Sequence, residues 1–488
     1  MNFTSFEFFG FFGIFFFLYW LVFNRNAGTQ NLFLLAANYI FYAWWDWRFL
    51  LLLIASSAIN FFIGIQLAQS KNSRHRKLLL SLGLLQGLGG LIYFKYFNFF
   101  ITSFKDGFAS IGVKLNVHTL DIILPLGISY YTFRTLSYLL DIDKRKIKPT
   151  TDWVVFFNYV SFFPTLMSGP IDKAKMFIPQ LEKKREFTYE KGTDGLRQIL
   201  WGFFKKIVIA DNCATFTNEI FDNFQSYHGA TLLLGIFLFA IQLYCDFSGY
   251  SDMAIGFARM IGFDITKNFN FPYFAQNIAD FWRRWHISLT SWMTEYVFTP
   301  LSIAFRDYGK MGLILAIVIN LTLVGIWHGA NWSFIFFGFV HGCLFIPLIL
   351  MGTMNKKKTI AKGRFFPTFS QFLNIIGTFS LIMLTFVIFK TSSFANAAMY
   401  YKEMFSGLFH KGAYIETLHF LQWKNLLLLM LIIFLFLLTE WIGKEQAYAI
   451  EKLAAKWYKP LRWSFYLSLL IFVYYFAGER QQFIYFQF

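Results

Sequence analysis

A histidine stands between two apolar segments, where a chain embedded in a membrane normally avoids ionisable groups. His328 follows the apolar run Met311–Ile326 and precedes the apolar run Ser333–Leu350. An ionisable side chain at this depth is costly, and it is therefore a functional-site hypothesis by default. A neutral imidazole can take a proton from a hydroxyl nucleophile, whereas the alternative is a histidine that only forms a hydrogen bond between helices. The adjacent Trp327 and Asn331 are candidate substrate-binding residues, since Asn331 can donate a hydrogen bond.

A second polar cluster lies about forty residues upstream and contains His286 together with Arg283 and Arg284. Asp280 precedes the arginines by three and four residues, so it can pair with either of them on a helix. Two neighbouring guanidinium groups can also bind a phosphate or a carboxylate, which suits an acyl donor that carries phosphates. The alternative is a salt-bridged turn at the membrane interface, with tryptophans as part of an aromatic belt.

The third polar cluster, Cys245–Asp252, follows another apolar span. Asp246 and Asp252 are candidates for orienting a histidine. The serines of this cluster lack the strand–turn–helix context of a nucleophile elbow, so a covalent serine intermediate is disfavoured. His341 is interpreted as a packing residue. No HExxH sequence and no close cysteine–histidine group indicates a metal site.

The composition predicts the kind of scaffold that positions these clusters. Of the 488 residues, 57% are hydrophobic and only 15% are charged, whereas soluble domains are about one quarter charged. The sequence therefore predicts an integral membrane protein that crosses the bilayer several times. The net charge of +17 is a topology signal, because lysine and arginine collect in cytoplasmic loops. A nucleic-acid partner is excluded, since the charge is not gathered on one soluble module.

The apolar segments predict an all-α, polytopic transmembrane bundle of about eleven spans with additional re-entrant or half-spanning helices. We expect a single membrane domain over residues 1–488, with a motif-rich catalytic core at about 120–345. The predicted segments are Phe6–Phe23, Leu32–Trp45, Phe49–Leu67, Leu78–Phe94, Leu120–Leu140, Val154–Met167, Leu232–Tyr244, Met311–Ile326, Ser333–Leu350, Phe369–Phe389, Leu426–Ile442 and Ser464–Phe476.

Basic loops give a partial topology. The clusters Lys71–Lys77 and Lys144–Lys148 agree on a cytoplasmic location if every segment between them crosses, which puts the N-terminus outside. The next basic stretch, Lys173–Arg185, stays inside if Val154–Met167 is re-entrant, and we prefer that interpretation. The amphipathic stretch Gly195–Ala210 is expected to lie along the membrane interface near its two lysines.

Six motifs, in this order along the chain, resemble the membrane-bound O-acyltransferase (MBOAT) family, and within it the bacterial alginate O-acetyltransferase branch. They are PLGISYYTFRTLSYLLDI (125–142), FPTLMSGPI (163–171), DFSGYSDMAIGFARMIGF (246–263), NFNFPYFAQNIADFWRRWHISLTSWMTEYVFTPL (268–301), GIWHGANW (325–332) and FIYFQF (483–488). Each motif alone is a weak signal, but the set extends from the first third of the chain to its end and is highly specific.

The resemblance implies a ring of tilted helices around a thin centre, with His328 as the catalytic histidine and His286 as the second motif histidine. It implies transfer of an acetyl group from a cytoplasmic thioester, acetyl-CoA or an acyl carrier protein, to an extracytoplasmic polysaccharide. It also implies a periplasmic SGNH-type, AlgX- or AlgJ-like, acetyltransferase as partner, and a location in the bacterial cytoplasmic membrane. No bound cofactor is expected. Many relatives have a Pro-Leu-Gly-Gly run followed by Asn and Arg after the second motif histidine, whereas this chain has Pro300–Arg306, so the acceptor stays open.

Two other classes of protein remain as alternatives. Broken helices and intramembrane polar residues also serve transporters or flippases, although paired inverted repeats would be more typical of those and none is visible. A structural scaffold of a polysaccharide-export complex would leave both histidines without a role.

Overall fold

The computed structural model describes residues 1–421, 424–478 and 481–484. Every regular element in this part of the chain is a helix, which confirms the all-α prediction. Contacts group the residues into two compact units, Met1–Gly195 with Phe257–Thr266 and Leu196–Gly256 with Lys267–Phe488. The last motif, at 483–488, is described only as far as Ile484, and its remaining residues lie outside the described part. The single membrane domain expected over 1–488 stays a prediction.

The first unit is built from nine helices and the beginning of a tenth. They are α1 (Phe6–Leu21), α2 (Ala27–Ala43), α3 (Trp47–Gln69), α4 (Ser73–Leu91), α5 (Phe97–Ser110), α6 (Ile128–Asp143), α7 (Trp153–Ser161), α8 (Phe163–Leu166), α9 (Ala174–Leu181) and α10 (Tyr189–Phe203). A π-helical segment, Ile92–Tyr96, joins α4 to α5.

Two apolar segments of this unit are interrupted for local backbone reasons. The stretch 120–127, predicted as part of a span, is not helical, and α6 begins only at Ile128 after Pro125 and a left-handed Gly127 (φ 72°). The predicted short segment Val154–Met167 divides into α7 and α8, because Phe162 departs from helical backbone just before Pro164. Both segments are therefore shorter than a span requires.

The second unit contains the remaining helices. They are α11 (Asp211–Asp222), α12 (Gly229–Met260, whose last turn belongs to the first unit), α13 (Ile278–Trp282), α14 (Ile287–Met293), α15 (Thr299–Ala304), α16 (Gly309–His328), α17 (Trp332–Cys343), α18 (Ile346–Leu350), α19 (Phe369–Lys390), α20 (Phe394–Gly407), α21 (Lys411–Leu421), α22 (Lys424–Ile442) and α23 (Lys459–Tyr475). Further π- or 3₁₀-helical turns are Phe204–Ala210, Phe224–Ser226, Pro272–Phe274, Thr294–Phe298 and Arg306–Tyr308.

Seven helical stretches among the described residues are long and apolar enough to cross a membrane, which confirms a polytopic helical membrane protein. They are Trp47–Gln69, Ser73–Ser110, Gly229–Met260, Arg306–His328, Trp332–Leu350, Phe369–Lys390 and Asn425–Ile442. The apolar helix α1 is shorter, with 16 residues. The expected number of about eleven spans is not confirmed, since several predicted segments form short helices.

The expectation that Gly195–Ala210 lies along the interface is wrong. Lys205 and Lys206 are 2% and 4% exposed, and each forms an ion pair with an aspartate of α12. The sequence does not show whether a lysine is exposed to solvent or forms an ion pair in the interior. The positive charges of this stretch therefore did not distinguish the two cases.

The hairpin of α16 and α17 positions His328, and glycines bring its two helices together. A Cβ atom added at Gly325 would collide with the carbonyl oxygen of Phe334, and one at Gly338 with that of Leu321. A Cβ at Gly342 would lie 2.7 Å from the Cα of Val318. Small residues that allow backbones to approach are typical of helix contacts in membranes.

We expect Gly338→Ala to destabilise this hairpin, because overpacking of a tight contact costs about 1–3 kcal/mol. Thermal unfolding of the purified protein in detergent should show a lower Tm and a lower yield. Gly377→Ala in α19 is the matched control, since an added Cβ there has no atom within 4 Å. An equal Tm for both variants would contradict the role of Gly338 in the hairpin.

Candidate active site

His328 is the last residue of α16 and is 5% exposed. Its ring lies edge-to-face against Trp327 and Phe389, with centroid distances of 5.2 and 5.3 Å. The chain leaves the helix at Gly329, whose extended backbone leads to Asn331 as the N-cap of α17. A helix end therefore places this imidazole in the interior of the second unit.

A small cavity lined mostly by aromatic side chains adjoins His328. Its walls are mostly apolar rings from α12, α13, α17 and α19, together with Trp285, and they are supplied by Leu243, Phe281, Trp282, Trp285, Phe337, Phe386 and Phe389. Apolar walls of this kind can keep water away from the imidazole beside them.

The second predicted histidine comes to the same place. His286 is fully buried, and its ring lies 5.4 Å from that of Trp327 in an edge-to-face arrangement. Trp327 therefore contacts both His286 and His328. Phe247 packs on His286 at 4.7 Å. The structure thus brings together two residues that lie 42 positions apart in sequence.

The backbone holds His286 in an unusual conformation. Its φ of 45° is left-handed, and it forms the N-cap of α14. Left-handed backbone is uncommon for residues other than glycine, and outliers of this kind cluster at functional sites. Backbone hydrogen bonds from Ile287 N to Asn268 O (2.8 Å) and from Asn270 N to Arg284 O (2.9 Å) flank the residue and hold it in place.

Asn268 is a polar neighbour of His286 that the sequence did not lead us to predict. Its Oδ1 lies 3.2 Å from His286 Nδ1 and 2.7 Å from Ser288 Oγ, and its Nδ2 donates to Ser251 Oγ at 3.3 Å. The only signal in the sequence was its place at the start of the fourth motif. An asparagine is less conspicuous in a sequence than a buried histidine, because its uncharged amide is less costly to bury.

The two aspartates that were candidates for orienting a histidine pair with lysines instead. Asp246 accepts from Lys206 at 2.7 Å and from the backbone N–H of Ile484 at 2.8 Å. Asp252 pairs with Lys205 at 2.6 Å and accepts from Gln198 at 2.8 Å. In the described contacts their carboxylates stabilise buried lysines, and the amide of Asn268 takes the position beside the histidine.

The arginines before His286 bind a loop of the same unit. Arg284 pairs with Asp280 at 3.0 Å and donates to the carbonyl of Lys358 at 3.2 Å. Arg283 donates to the carbonyls of Met354 and Lys356, each at 3.2 Å. Of the two pairings considered for Asp280, the structure therefore has the one with Arg284. The guanidinium groups hold the 354–358 loop against the short helix α13.

Two further predicted residues have local structural contacts. Asn331 caps α17 through a bond from Ser333 N to its Oδ1 (2.8 Å). His341 is fully buried, accepts from Trp282 Nε1 at 3.2 Å and lies 2.9 Å from Thr385 Oγ1. The interpretation of His341 as a packing residue with satisfied hydrogen bonds agrees with these contacts.

A second, polar cavity adjoins Asn268. Asn268 forms part of its wall, together with Lys205, Asp252, Lys267 and Glu440. Lys267 donates to Asn270 Oδ1 at 3.1 Å, and burial lowers its pKa to about 8. Aromatic walls and paired charges suit a ligand that is polar but carries little net charge.

Burial also controls the protonation of His286. Desolvation lowers the pKa of this imidazole well below its usual value, and the charge that His328 would carry when protonated lowers it further. His286 is therefore neutral at physiological pH. Among the described residues, no group of three or more histidine, cysteine, aspartate or glutamate side chains could hold a metal ion.

Two buried imidazoles that contact the same tryptophan, a cavity with aromatic walls and a helical membrane scaffold suit a membrane-embedded group transferase. The family model for the membrane-bound O-acyltransferase family matches residues 8–391. The chain belongs to this family and is a multi-pass integral membrane acyltransferase.

Three relatives are similar to this chain over more than half of its length. A probable alginate O-acetylase AlgI of Azotobacter vinelandii is 37% identical over 385 residues, which cover 78% of this chain and 73% of the relative. A peptidoglycan O-acetyltransferase of Helicobacter pylori is 34% identical over 410 residues, covering 78% and 74%. A teichoic acid D-alanyltransferase of Streptococcus thermophilus is 30% identical over 299 residues, covering 57% and 70%.

Proposed function

We propose that this enzyme transfers an acetyl group from a cytoplasmic thioester to a hydroxyl of an extracytoplasmic polysaccharide, or to a relay protein that passes it on. His328 acts as the general base. The hydroxyl oxygen attacks the thioester carbonyl carbon while His328 takes the hydroxyl proton. The carbon–sulfur bond then breaks, and the proton returns from the imidazole to the departing thiolate. The products are an ester and a thiol.

The arrangement of His328 at the wall of the aromatic cavity is the observation that carries this proposal. The imidazole lies at the end of α16, where the chain leaves the helix at Gly329, and the aromatic cavity beside it is where we place the acyl group. Exclusion of water protects a thioester from hydrolysis and strengthens electrostatic interactions within the site. Two of the three relatives described above are named for acetyl transfer.

The acceptor is proposed from the same relatives. Their names specify alginate, peptidoglycan and teichoic acid, all of them polymers of the bacterial envelope. We therefore propose a location in the bacterial cytoplasmic membrane, with an envelope polysaccharide as the final acceptor. A periplasmic acetyltransferase of the SGNH, AlgX- or AlgJ-like, kind is the proposed relay partner.

The donor is proposed to approach through the polar cavity. Ser248, Ser251 and Asp252 of α12 form part of the cavity wall. Hydroxyl, amide and ammonium groups in its wall can bind the amides of a pantetheine arm, which acetyl-CoA and an acyl carrier protein share. No bound cofactor is required, since the thioester is a co-substrate.

We expect wild-type protein in proteoliposomes to transfer radiolabelled acetyl from acetyl-CoA to a carbohydrate acceptor. Lys267→Met should raise the KM for the thioester about 10-fold with little change in kcat, because the lost contact is one of ground-state binding. Arg25→Met in the first unit is the charge-matched control. Transfer from an acetylated carrier protein but not from acetyl-CoA would replace the donor. An unchanged KM in Lys267→Met would remove the polar cavity from the donor site.

Membership in an acyltransferase family favours the enzyme over the alternatives of a transporter or a scaffold of a polysaccharide-export complex. A transporter or a scaffold that does not react with its polysaccharide would need no imidazole beside an aromatic cavity. Polysaccharide export without acetylation in the reconstituted system would support those alternatives instead.

A further inference from the structure

We infer that Asn268 is a positioning residue that fixes His286 as the Nδ1–H tautomer, so that His286 offers the lone pair of Nε2 to the reaction. This inference rests on the proposed function only for its kinetic consequence. The tautomer itself follows from hydrogen-bond geometry and can be measured without any assay of transfer.

The orientation of the Asn268 amide is set by a group that can only donate. The backbone N–H of Ser288 lies 3.2 Å from Asn268 Oδ1. If the amide were rotated by 180°, its NH₂ group would face this N–H, and two donors would oppose each other. The opposite side agrees, because Nδ2 then donates to Ser251 Oγ at 3.3 Å. The atom near His286 is therefore the carbonyl oxygen.

The tautomer of His286 follows from that orientation. An amide oxygen has no proton to give, so a hydrogen bond across the 3.2 Å between Asn268 Oδ1 and His286 Nδ1 requires the proton on Nδ1. In a neutral imidazole with Nδ1 protonated, Nε2 carries the lone pair. Desolvation keeps His286 neutral, in agreement with this tautomer.

The backbone strengthens the arrangement. Ile287 N donates to the carbonyl of Asn268 at 2.8 Å, so the same residue holds the main chain and the side chain at this position. The backbone of His286 is left-handed, and its ring contacts Trp327. Rotation of the ring by 180° would break the bond to Asn268, so both the tautomer and the ring orientation are fixed.

This assignment defines what His286 can do in the reaction. With Nε2 as an acceptor, His286 can accept a hydrogen bond from the acceptor hydroxyl or from an N–H of His328. It cannot donate to the oxyanion that forms on the thioester carbonyl unless it is first protonated. The geometry therefore assigns His286 a role as an acceptor beside the hydroxyl proton that is transferred. It does not assign His286 a role in stabilising the oxyanion.

The first test is spectroscopic and uses the full-length wild-type protein. Nitrogen-15 NMR of protein labelled at its histidines reports which ring nitrogen carries the proton, and loss of a signal pair in His286→Gln assigns the resonances. We expect a protonated Nδ1 and an unprotonated Nε2 at pH 7. The opposite pattern, or a rapid exchange between the two tautomers, would overturn the inference even if acyl transfer proceeds as proposed.

The second test uses two variants of Asn268 in the transfer assay. Asn268→Leu should lower kcat about 10²-fold with a small change in KM, as loss of an interaction that supports only the transition state does. Asn268→Asp keeps an acceptor for Nδ1–H and for Ser288 and should retain activity at high pH. Its carboxylate also favours the imidazolium form, so it raises the pKa of His286.

The sign of that pKa change makes the test specific. Neutral His286 is the active form, so the acid limb of the pH–rate profile should move to higher pH in Asn268→Asp. The residues that contact His286 include Phe247, Trp327 and Asn268, and His328 acts on its charge, so His328 is the second titrating group that the fit must include. Asn374→Leu, at an exposed position of α19, is the matched control and should keep the wild-type profile.

A profile of Asn268→Asp that matches the wild type would overturn the role of Asn268, and so would wild-type kcat in Asn268→Leu. If Asn268→Leu fails to accumulate, the NMR measurement on wild-type protein and the profile of Asn268→Asp still decide the matter. A complete lack of transfer in the wild type, with the expected tautomer, would contradict the proposed function and leave the tautomer assignment intact.

Discussion

His328→Ala is expected to leave only a small residual rate of acyl transfer while the protein still inserts and accumulates. Loss of a general base typically lowers the rate by about 10²–10⁴-fold, and the transfer from a thioester has no other buried base assigned to it. Truncation of a 5%-exposed side chain also removes packing against Trp327 and Phe389, so stability must be measured beside activity. Turnover with radiolabelled donor and thermal unfolding in detergent are the two measurements.

His341→Ala is the matched control for this prediction. His341 is a buried histidine in the same unit, and its contacts with Trp282 and Thr385 are structural. We expect His341→Ala to lower the Tm and to keep measurable turnover per folded molecule. The general-base assignment fails if purified His328→Ala retains wild-type turnover. Failure of both variants to accumulate would favour a purely structural role for His328.

The two histidines were predicted as site residues because a buried ionisable group is costly. An imidazole among apolar residues is expensive unless something uses it or pairs with it, so the composition of the segment points to the residue. The motif at 325–332 and the one at 268–301 then placed both of them in one family pattern. The proximity of the two histidines in space could not be predicted from the sequence, because it depends on how the loop at 268–270 pairs with 284–287.

The choice of aspartates to orient a histidine shows where sequence reasoning stops. Asp246 and Asp252 carry the right functional group, but Lys206 and Lys205 pair with them. An amide at position 268 also has a physical advantage, because it accepts a hydrogen bond from the imidazole without favouring the imidazolium. A carboxylate in its place would hold His286 in a form that is less able to accept a proton.

The number of spans could not be predicted from hydropathy alone. Burial inside protein allows apolar segments to be shorter than the bilayer, since other helices satisfy their backbone groups. The segments around Gly127 and Pro164 are of this kind, and their interruptions follow from glycine and proline geometry. Ion pairs such as Lys205 with Asp252 could not be predicted either, because the sequence shows each charged residue but not its partner.

We expect the effects of removing the two histidines to be strongly non-additive. His286→Ala should lower kcat/KM by about 10–10²-fold, and the double variant with His328→Ala should be no worse than His328→Ala alone. The reason is that both rings contact Trp327, at 5.4 and 5.2 Å, and act on the same proton. Groups that serve one step as a unit lose their function once either is removed.

The measurement is a double-mutant cycle of kcat/KM over the wild type, the two single variants and the double variant, each with its Tm. A coupling free energy close to the whole effect of His286→Ala would indicate one shared step. Losses that multiply would assign the histidines to separate steps, with His286 acting in binding rather than in proton transfer. His341→Ala combined with His328→Ala supplies the control cycle. His341 lies on α17 and has no described contact with the ring of His286 or His328, so its small effect should be independent of His328.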